Sequence, residues 1–361
     1  MTDQKLRVED VLPLSPLQEG FLFHSVFDRQ DSDDVYTIQY RVGLEGDVEP
    51  DRMERAVAAL VQQHGNLRVA FRQKKTGETV QVVAKQVPTP FRFVEGTEGG
   101  AIDAAAQEDR APFTLYKPPL MRLTLVRSGE GQYTLIFTAH HILLDGWSLP
   151  VMFAELFERY SADGGPIDRP APTPYKDYLS WLTARDGQAD KACWRSVFEG
   201  LTDATLVAPG DGGFRPLYPE TQLITLSEEF TSRLKDFCQE REVTLNSAVR
   251  VAWSMVVGQM TGRDDVVVGA TVSGRPPDLP GVEAMIGLFI NTIPMRVRLD
   301  PTVRVSEVVT QAHNDSVQVL DHQYARLSDI RRYADVGELF DTLMAVSYTH
   351  LRSPRDKRQS R

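Results

Sequence analysis

Two adjacent histidines, His140 and His141, stand shortly ahead of Asp145 and Gly146 in residues 133–160, YTLIFTAHHILLDGWSLPVMFAELFERY. An imidazole titrates near neutrality, so it can take, hold or orient the proton of an attacking group. Metal chemistry is disfavoured, because neighbouring side chains on a strand point to opposite faces and no third ligand lies at useful spacing. A hydrolase triad is weakly supported, since the chain contains no Gly-x-Ser-x-Gly elbow. An inward histidine is as readily a satisfied core residue as a functional one, and the spacing alone leaves both readings open.

The flanking pattern says how these groups would be held. Tyr133, Leu135, Phe137 and Ala139 alternate with Thr134, Ile136, Thr138 and His140, the period-two signature of a buried strand, so that His141 continues the row begun by Tyr133. Asp145-Gly146 predicts a turn, and Ser148 is placed to cap a helix with Pro150 in its first turn. Leu149, Met152, Phe153, Leu156 and Tyr160 then fall on one helical face. Strand, turn and helix start bring the imidazole to the edge of a core, near backbone N–H groups and the positive end of a helix dipole.

The remainder of the chain narrows the class. With 361 residues, 42% of them hydrophobic, it can build two cores. A net charge of −10 and a pI near 5.3 argue against general affinity for nucleic acid or anionic membrane. Two cysteines, Cys193 and Cys238, make no disulfide framework and suit a reducing compartment. The N-terminus is polar, with no signal-peptide core, and no apolar run approaches the roughly 20 residues that cross a bilayer. A cytoplasmic location is expected.

Residues 15–25 predict a short amphipathic helix and residues 35–44 a strand. Residues 53–64 place Met53, Val57, Leu60, Val61 and His64 on one stripe. Four prolines and two glycines in residues 163–174 mark the expected lobe boundary. Beyond it we expect a strand at 221–226, a helix at 228–242, and a helix capped by Thr244. The apolar face of that last helix would comprise Leu245, Ala248, Val249, Ala252, Trp253, Val256 and Met260. A buried strand follows at 265–269 and a turn at Ser273-Gly274-Arg275-Pro276. Asn291 interrupts an apolar strand, and its amide either bonds to backbone or lines a channel.

His140-His141-Ile142-Leu143-Leu144-Asp145-Gly146 resembles the HHxxxDG signature of the condensation domains of non-ribosomal peptide synthetases, which share a fold with chloramphenicol acetyltransferase. Further stretches resemble the family's other motifs in order: LPLSPLQEGFLFH near the N-terminus, QHGNLRVAF at 63–71, FTLYKPPLMRLTL at 113–125, YKDYLSW at 175–181 and IGLFINTIPMR at 286–296. The second departs from RHxxLRTxF at Gln63 and Val69, and the third has Thr114 where aspartate is common.

The resemblance implies an α/β (α+β) fold of two acetyltransferase-like lobes, mixed sheets flanked by helices, at residues 1–174 and 175–346. It also implies peptide-bond formation between a donor acyl or peptidyl thioester and an acceptor aminoacyl thioester that enter a tunnel between the lobes. Each would ride on the 4'-phosphopantetheine arm of an upstream or downstream peptidyl carrier protein, with an adenylation domain as neighbour, in antibiotic or other secondary-metabolite synthesis. No cofactor or metal would be bound by the domain itself. His141 would be catalytic, with Gly146 letting a backbone N–H reach the oxyanion because a side chain there would crowd the turn. His140 would be structural, and Asp145 would pair with Arg68 to hold the loop. Trp147, Ser148 and Asn291 would line the substrate channel. Epimerisation domains carry a similar signature and are the alternative, together with a catalytically inactive carrier-docking fragment. Heterocyclising relatives replace the histidines by aspartates. The resemblance runs from about Val8 to Val346. The last fifteen residues, SYTHLRSPRDKRQSR, instead form a polar, basic tail, so the second lobe is expected to be incomplete.

Overall fold

The computed structural model describes residues 7–27, 36–96, 100–209 and 220–346; the basic tail at 347–361 lies outside them. The chain divides into two compact units: residues 1–185 with 275–290, and residues 186–274 with 291–349. The division falls after residue 185 and not at the proline-rich stretch, which stays in unit 1.

Unit 1 runs β1 (Val8–Leu12), α1 (Pro16–Phe27), β2 (Thr37–Glu45), α2 (Pro50–Gln63), β3 (Val69–Gln73), β4 (Thr79–Ala84), β5 (Phe91–Glu95), α3 (Ala101–Asp109), β6 (Met121–Gly129), β7 (Gln132–His140), α4 (Ser148–Ser161) and α5 (Tyr175–Thr183). Its main sheet has the order β2-β7-β6-β5, antiparallel except for the parallel β5–β6 pair, and a second sheet has the order β1-β4-β3. β7 is therefore central, and its two faces are both covered. Tyr133, Leu135, Phe137 and Ala139 enter the core with α2 residues Met53, Val57 and Leu60 and α4 residues Met152 and Leu156. Ile136, on the other face, packs with Ala105 and Ala106 of α3. The predicted stripe of α2 is the buried one, and Pro50 sits at its start, where a missing N–H costs nothing.

α5 stays with unit 1 because Tyr175, Tyr178 and Leu179 bury against Val282, Met285 and Phe289. Gly287 lies against the Tyr175 ring, where a Cβ would come within 2.2 Å of Cδ2. The returning segment 275–290 is thus integral to this core.

Unit 2 runs α6 (Gly187–Val197), α7 (Glu228–Glu240), α8 (Leu245–Thr261), β8 (Asp265–Val272), β9 (Asn291–Arg298), α9 (Val305–Gln318), α10 (Leu327–Ala334) and β10 (Leu343–Met344). Its mixed sheet has the order β10-β8-β9, with β10 parallel and β9 antiparallel to β8. Two expectations are corrected here. Residues 221–226 form no strand; Leu223 is 89% exposed. Apolar and β-branched residues supply propensity, but a strand also needs an edge to pair with. Thr244 caps α8 as expected, its hydroxyl accepting the Ser247 N–H at 3.1 Å. The buried face, however, is Ser247, Ala248, Arg250, Val251, Ser254, Val257 and Gly258, while Val249, Ala252, Trp253, Val256 and Met260 are exposed. Gly258 explains the rotation: a Cβ there would stand 2.8 Å from the Arg263 carbonyl and 3.4 Å from Val266 of β8, so close approach to the sheet selects the glycine face.

Candidate functional site

The end of β7 is pinned on both sides. The His140 N–H donates to the Leu120 carbonyl at 3.0 Å and the His141 N–H to the Tyr36 carbonyl at 2.8 Å. The chain then turns, with Leu143 N–H donating to the His140 carbonyl at 3.1 Å. His140 is fully buried, and its Nδ1 accepts the Ile142 N–H at 3.1 Å. This hydrogen bond fixes the ring against the turn that follows the strand. Two amide side chains hold the next carbonyls: Gln18 Nε2 donates to Ile142 O at 3.1 Å and Asn66 Nδ2 to Leu143 O at 2.6 Å. Gln18 is itself fixed by Gln81, whose Nε2 donates to its Oε1 at 2.9 Å.

His141 is half-buried at the strand end. Its ring meets Phe21 of α1 edge-on, with centroids 5.7 Å apart, and Phe21 in turn packs on Tyr36 at 4.4 Å. Its Nδ1 is buried and has no hydrogen-bond partner among the described residues.

Asp145 is completely buried, and its carboxylate is saturated. Oδ1 accepts from Ser148 N and Ser148 Oγ, both at 2.9 Å, and from Arg275 at 3.4 Å; Oδ2 accepts from Phe289 N at 3.0 Å and Ile290 N at 3.4 Å. Asp145 N–H donates back to Gly287 O at 3.1 Å. The counter-ion is therefore Arg275, and the expected Asp145–Arg68 pair is not formed. Arg68 is taken up elsewhere: it donates to the Val61 and Gln62 carbonyls, in the last turn of α2, to the Ala84 carbonyl and to Glu9 at 2.7 Å. The negative end of the α2 dipole and its free carbonyls capture the guanidinium.

Arg275 ties the loop to the returning segment. It donates to Ser148 Oγ at 2.9 Å, to the Val282 carbonyl and to Met285 O at 3.2 Å, and stacks 3.8 Å above the Phe289 ring. Burial pulls its pKa down, against the opposing charge of Asp145.

The other expected site residues fall as follows. Ser148 is the first residue of α4 and not its cap, since Trp147 holds the cap position and the Asp145 carboxylate receives the Ser148 N–H. Ser148 is fully buried, with its hydroxyl bound to Asp145, Arg275 and Gly287, so it is a tie and not a solvent-facing wall. Gly146 is exposed, and a Cβ there would meet nothing within 4 Å; the expected crowding is absent. Trp147 is 56% exposed beside it, with Nε1 3.4 Å from the Glu283 carbonyl. Asn291, in unit 2, is buried with its Nδ2 donating to the Gln323 and Ala325 carbonyls, each at 2.8 Å, which is the backbone-bonded alternative.

Sequence reasoning misses Arg275, Gln18 and Asn66 as supports of the loop. In the sequence Arg275 reads only as part of a turn and Gln18 as part of a helix start, where it also accepts the Ser15 N–H at 2.9 Å. A second buried cluster backs α4: His64 Nε2 lies 2.9 Å from Glu155, which also binds Arg159 at 2.7 Å. Burial would raise the Glu155 pKa, but His64 and Arg159 outweigh it and hold the carboxyl below its ordinary range. Among the described residues no group of three or more His, Cys, Asp or Glu could hold a metal ion, and no helix is long and apolar enough to cross a membrane.

The first condensation domain of the calcium-dependent antibiotic synthetase, solved with a substrate analogue, superposes with a TM-score of 0.74 at 21% identity, over 94% of this chain and 82% of that one. The X-domain from teicoplanin biosynthesis gives 0.77 at 21%, over 95% and 78%. A linear gramicidin synthase protein of Brevibacillus parabrevis is 38% identical over 352 residues, which are 93% of this chain and 4% of that protein. Bacitracin synthase 1 of Bacillus licheniformis is 31% identical over 351 residues, 94% of this chain and 7% of that protein. The chain thus spans less than a tenth of these two relatives. The condensation-domain family model matches residues 8–360, past Val346, where the sequence resemblance was expected to end. With the mixed α/β fold and the ordered HHxxxDG loop, this makes the chain a member of the condensation-domain family.

Proposed function

We propose that the chain catalyses amide-bond formation between a donor acyl or peptidyl thioester and an acceptor aminoacyl thioester. Each is carried on the phosphopantetheine arm of a carrier-protein domain, within a synthetase that also holds adenylation domains. The observation that carries this reading is the division of labour in the loop. Asp145 accepts from donors at both oxygens and cannot serve as a proton acceptor, whereas His141 stands half-buried at the strand end with Nδ1 shielded. Nε2 is the nitrogen left to meet the acceptor amine. The amine attacks the donor carbonyl, the carbonyl oxygen gains charge, and collapse expels the donor's thiol as the amide forms. Gly146, with open space at its Cα, lets the chain approach that oxygen closely. Trp147 offers an apolar face next to it.

Holding the two reactants in line supplies about 7–11 kcal/mol, and a positioned base adds roughly 10²–10⁴-fold, so most of the acceleration comes from placement. The test incubates the chain with donor- and acceptor-loaded carrier proteins and detects the product thioester by mass spectrometry. His141→Ala should lower product formation by at least about 10²-fold with unchanged thermal unfolding. A folded His141→Ala protein that condenses normally would remove His141 from the mechanism. A donor recovered with inverted configuration would select epimerisation, and carrier binding without turnover an inactive docking module.

A further inference from the structure

Helix α1 meets the histidine loop at two points one turn apart. Gln18 is fully buried, and its Nε2 donates to the Ile142 carbonyl at 3.1 Å, directly after His141. Its Oε1 accepts from Ser15 N and from Gln81 Nε2, both at 2.9 Å, which fixes the amide. Phe21, three positions further along the helix, lies on the same face. Its ring meets the His141 imidazole with centroids 5.7 Å apart and an interplanar angle of 61°. Tyr36 backs that ring at 4.4 Å, and the carbonyl of the same Tyr36 accepts the His141 N–H at 2.8 Å. The imidazole is thus enclosed by a circuit that runs from Gln18 to Phe21 to Tyr36 and back to the His141 backbone, all of it within unit 1.

The orientation of the imidazole needs such a restraint. His141 is half-buried, yet its Nδ1 is sealed from solvent with no hydrogen-bond partner among the described residues. A buried polar atom without a partner is unfavourable, so a ring free to turn about its side-chain torsions would bring Nδ1 to water. The bonds at His141 N and Ile142 O fix where the side chain starts and leave the direction of the ring open. What stands against the ring is the Phe21 phenyl, itself half-buried and packed on the unit 1 core.

We propose that Phe21 is a positioning residue for the reaction: its phenyl ring is the wall that keeps His141 Nδ1 turned inward and Nε2 turned to the reactants, an inference that rests on the amine-contacting role given to His141 above. Phe21 acts through the imidazole and touches neither reactant. Removing the wall opens about three staggered wells to the His141 side chain, which alone dilutes the productive one about threefold. A misplacement of about 1 Å at the reacting atom raises the loss to as much as about 10²-fold. The loss falls on kcat and leaves KM in place, as for an interaction that is made only in the transition state.

The test uses the full chain and two readings. Diethyl pyrocarbonate modifies accessible imidazole nitrogens, and mass spectrometry locates the modified histidine. Phe21→Ala should raise the modification rate at His141 several-fold, while His64 and His140, both buried, stay protected and report an intact fold. In the carrier assay Phe21→Ala should lower kcat about tenfold, between the two limits above, with the acceptor KM unchanged. Phe21→Leu, which keeps most of the bulk, should restore the protection of His141 and most of kcat. If Phe21→Ala does not fold, Phe21→Val makes the same comparison with Phe21→Leu. An unchanged rate at His141 in a variant whose His64 and His140 stay protected would overturn the proposal. So would a rise in KM with kcat intact, or equal losses in Phe21→Leu and the smaller variant. The readings also separate the failures: if His141→Ala condenses normally while the modification rate still follows the side chain at position 21, the role given to His141 falls and the restraint by Phe21 stands.

Discussion

Replacing Arg275 should couple energetically to Asp145, and replacing Arg68 should not. Asp145 is fully buried and the Arg275 side chain is 6% exposed, so neither charge is screened by bulk water. Removing one partner of such a pair leaves the other uncompensated and costs about 3–5 kcal/mol. Arg275→Met should sit at the upper end of that range, because it also gives up bonds to the Val282 and Met285 carbonyls and the stack on Phe289. Asp145→Asn keeps the shape but leaves two backbone N–H groups and Ser148 facing a weaker acceptor. The double variant removes both charges, so the cycle should return a coupling of about 1–2 kcal/mol, within the range for residues in contact. The corresponding cycle of Arg68→Met with Asp145→Asn should be additive within about 0.5 kcal/mol, since Arg68 is bound to α2 carbonyls and Glu9. Urea unfolding followed by circular dichroism and by tryptophan fluorescence gives the energies, and coincident transitions check the two-state assumption. A larger coupling to Arg68 than to Arg275 would refute the assignment of the counter-ion.

Gly146→Ala should change stability by less than about 0.5 kcal/mol, because its Cβ meets no atom, yet lower product formation if the reacting oxygen approaches the backbone there; calorimetry and the carrier assay read the two effects separately. Glu155 has a folded-state pKa below its ordinary value, so its contribution to stability is present above that ordinary value and is lost as pH falls through the depressed one. The acid limb of the wild-type stability profile below about pH 5 should therefore flatten in Glu155→Gln, which should also cost about 3 kcal/mol at neutral pH; an unchanged acid limb would show that His64 and Arg159 do not hold the carboxylate ionised.

The chemistry-bearing strand was legible because its period of two survives on both faces: Leu135 and Phe137 face one core and Ile136 the other. The stripe of α2 was legible for the same reason at a period of 3.6. Partner choice was not. Arg68 and Arg275 are both buried arginines far from Asp145 in sequence, and only the three-dimensional placement of the α2 C-terminus, next to Arg68, decides between them. The face of α8 escaped because its apolar residues outnumber one stripe, and the deciding contact is Gly258 against β8, a backbone approach without a side-chain signal. Residues 221–226 have the composition of a strand but find no ladder, since pairing is a property of two segments and not of one.

The segment 275–290 gives the histidine loop an unusual dependence on distant sequence. Gly287, Phe289 and Arg275 reach Asp145 across 130 or more positions, so the loop cannot reach its bonded state until the intervening stretch has been made and this arm has returned. A polypeptide cut at the proline run would keep both histidines and forfeit their anchor. Anyone grafting this unit onto another protein would have to carry the arm along with it, as a discontinuous graft.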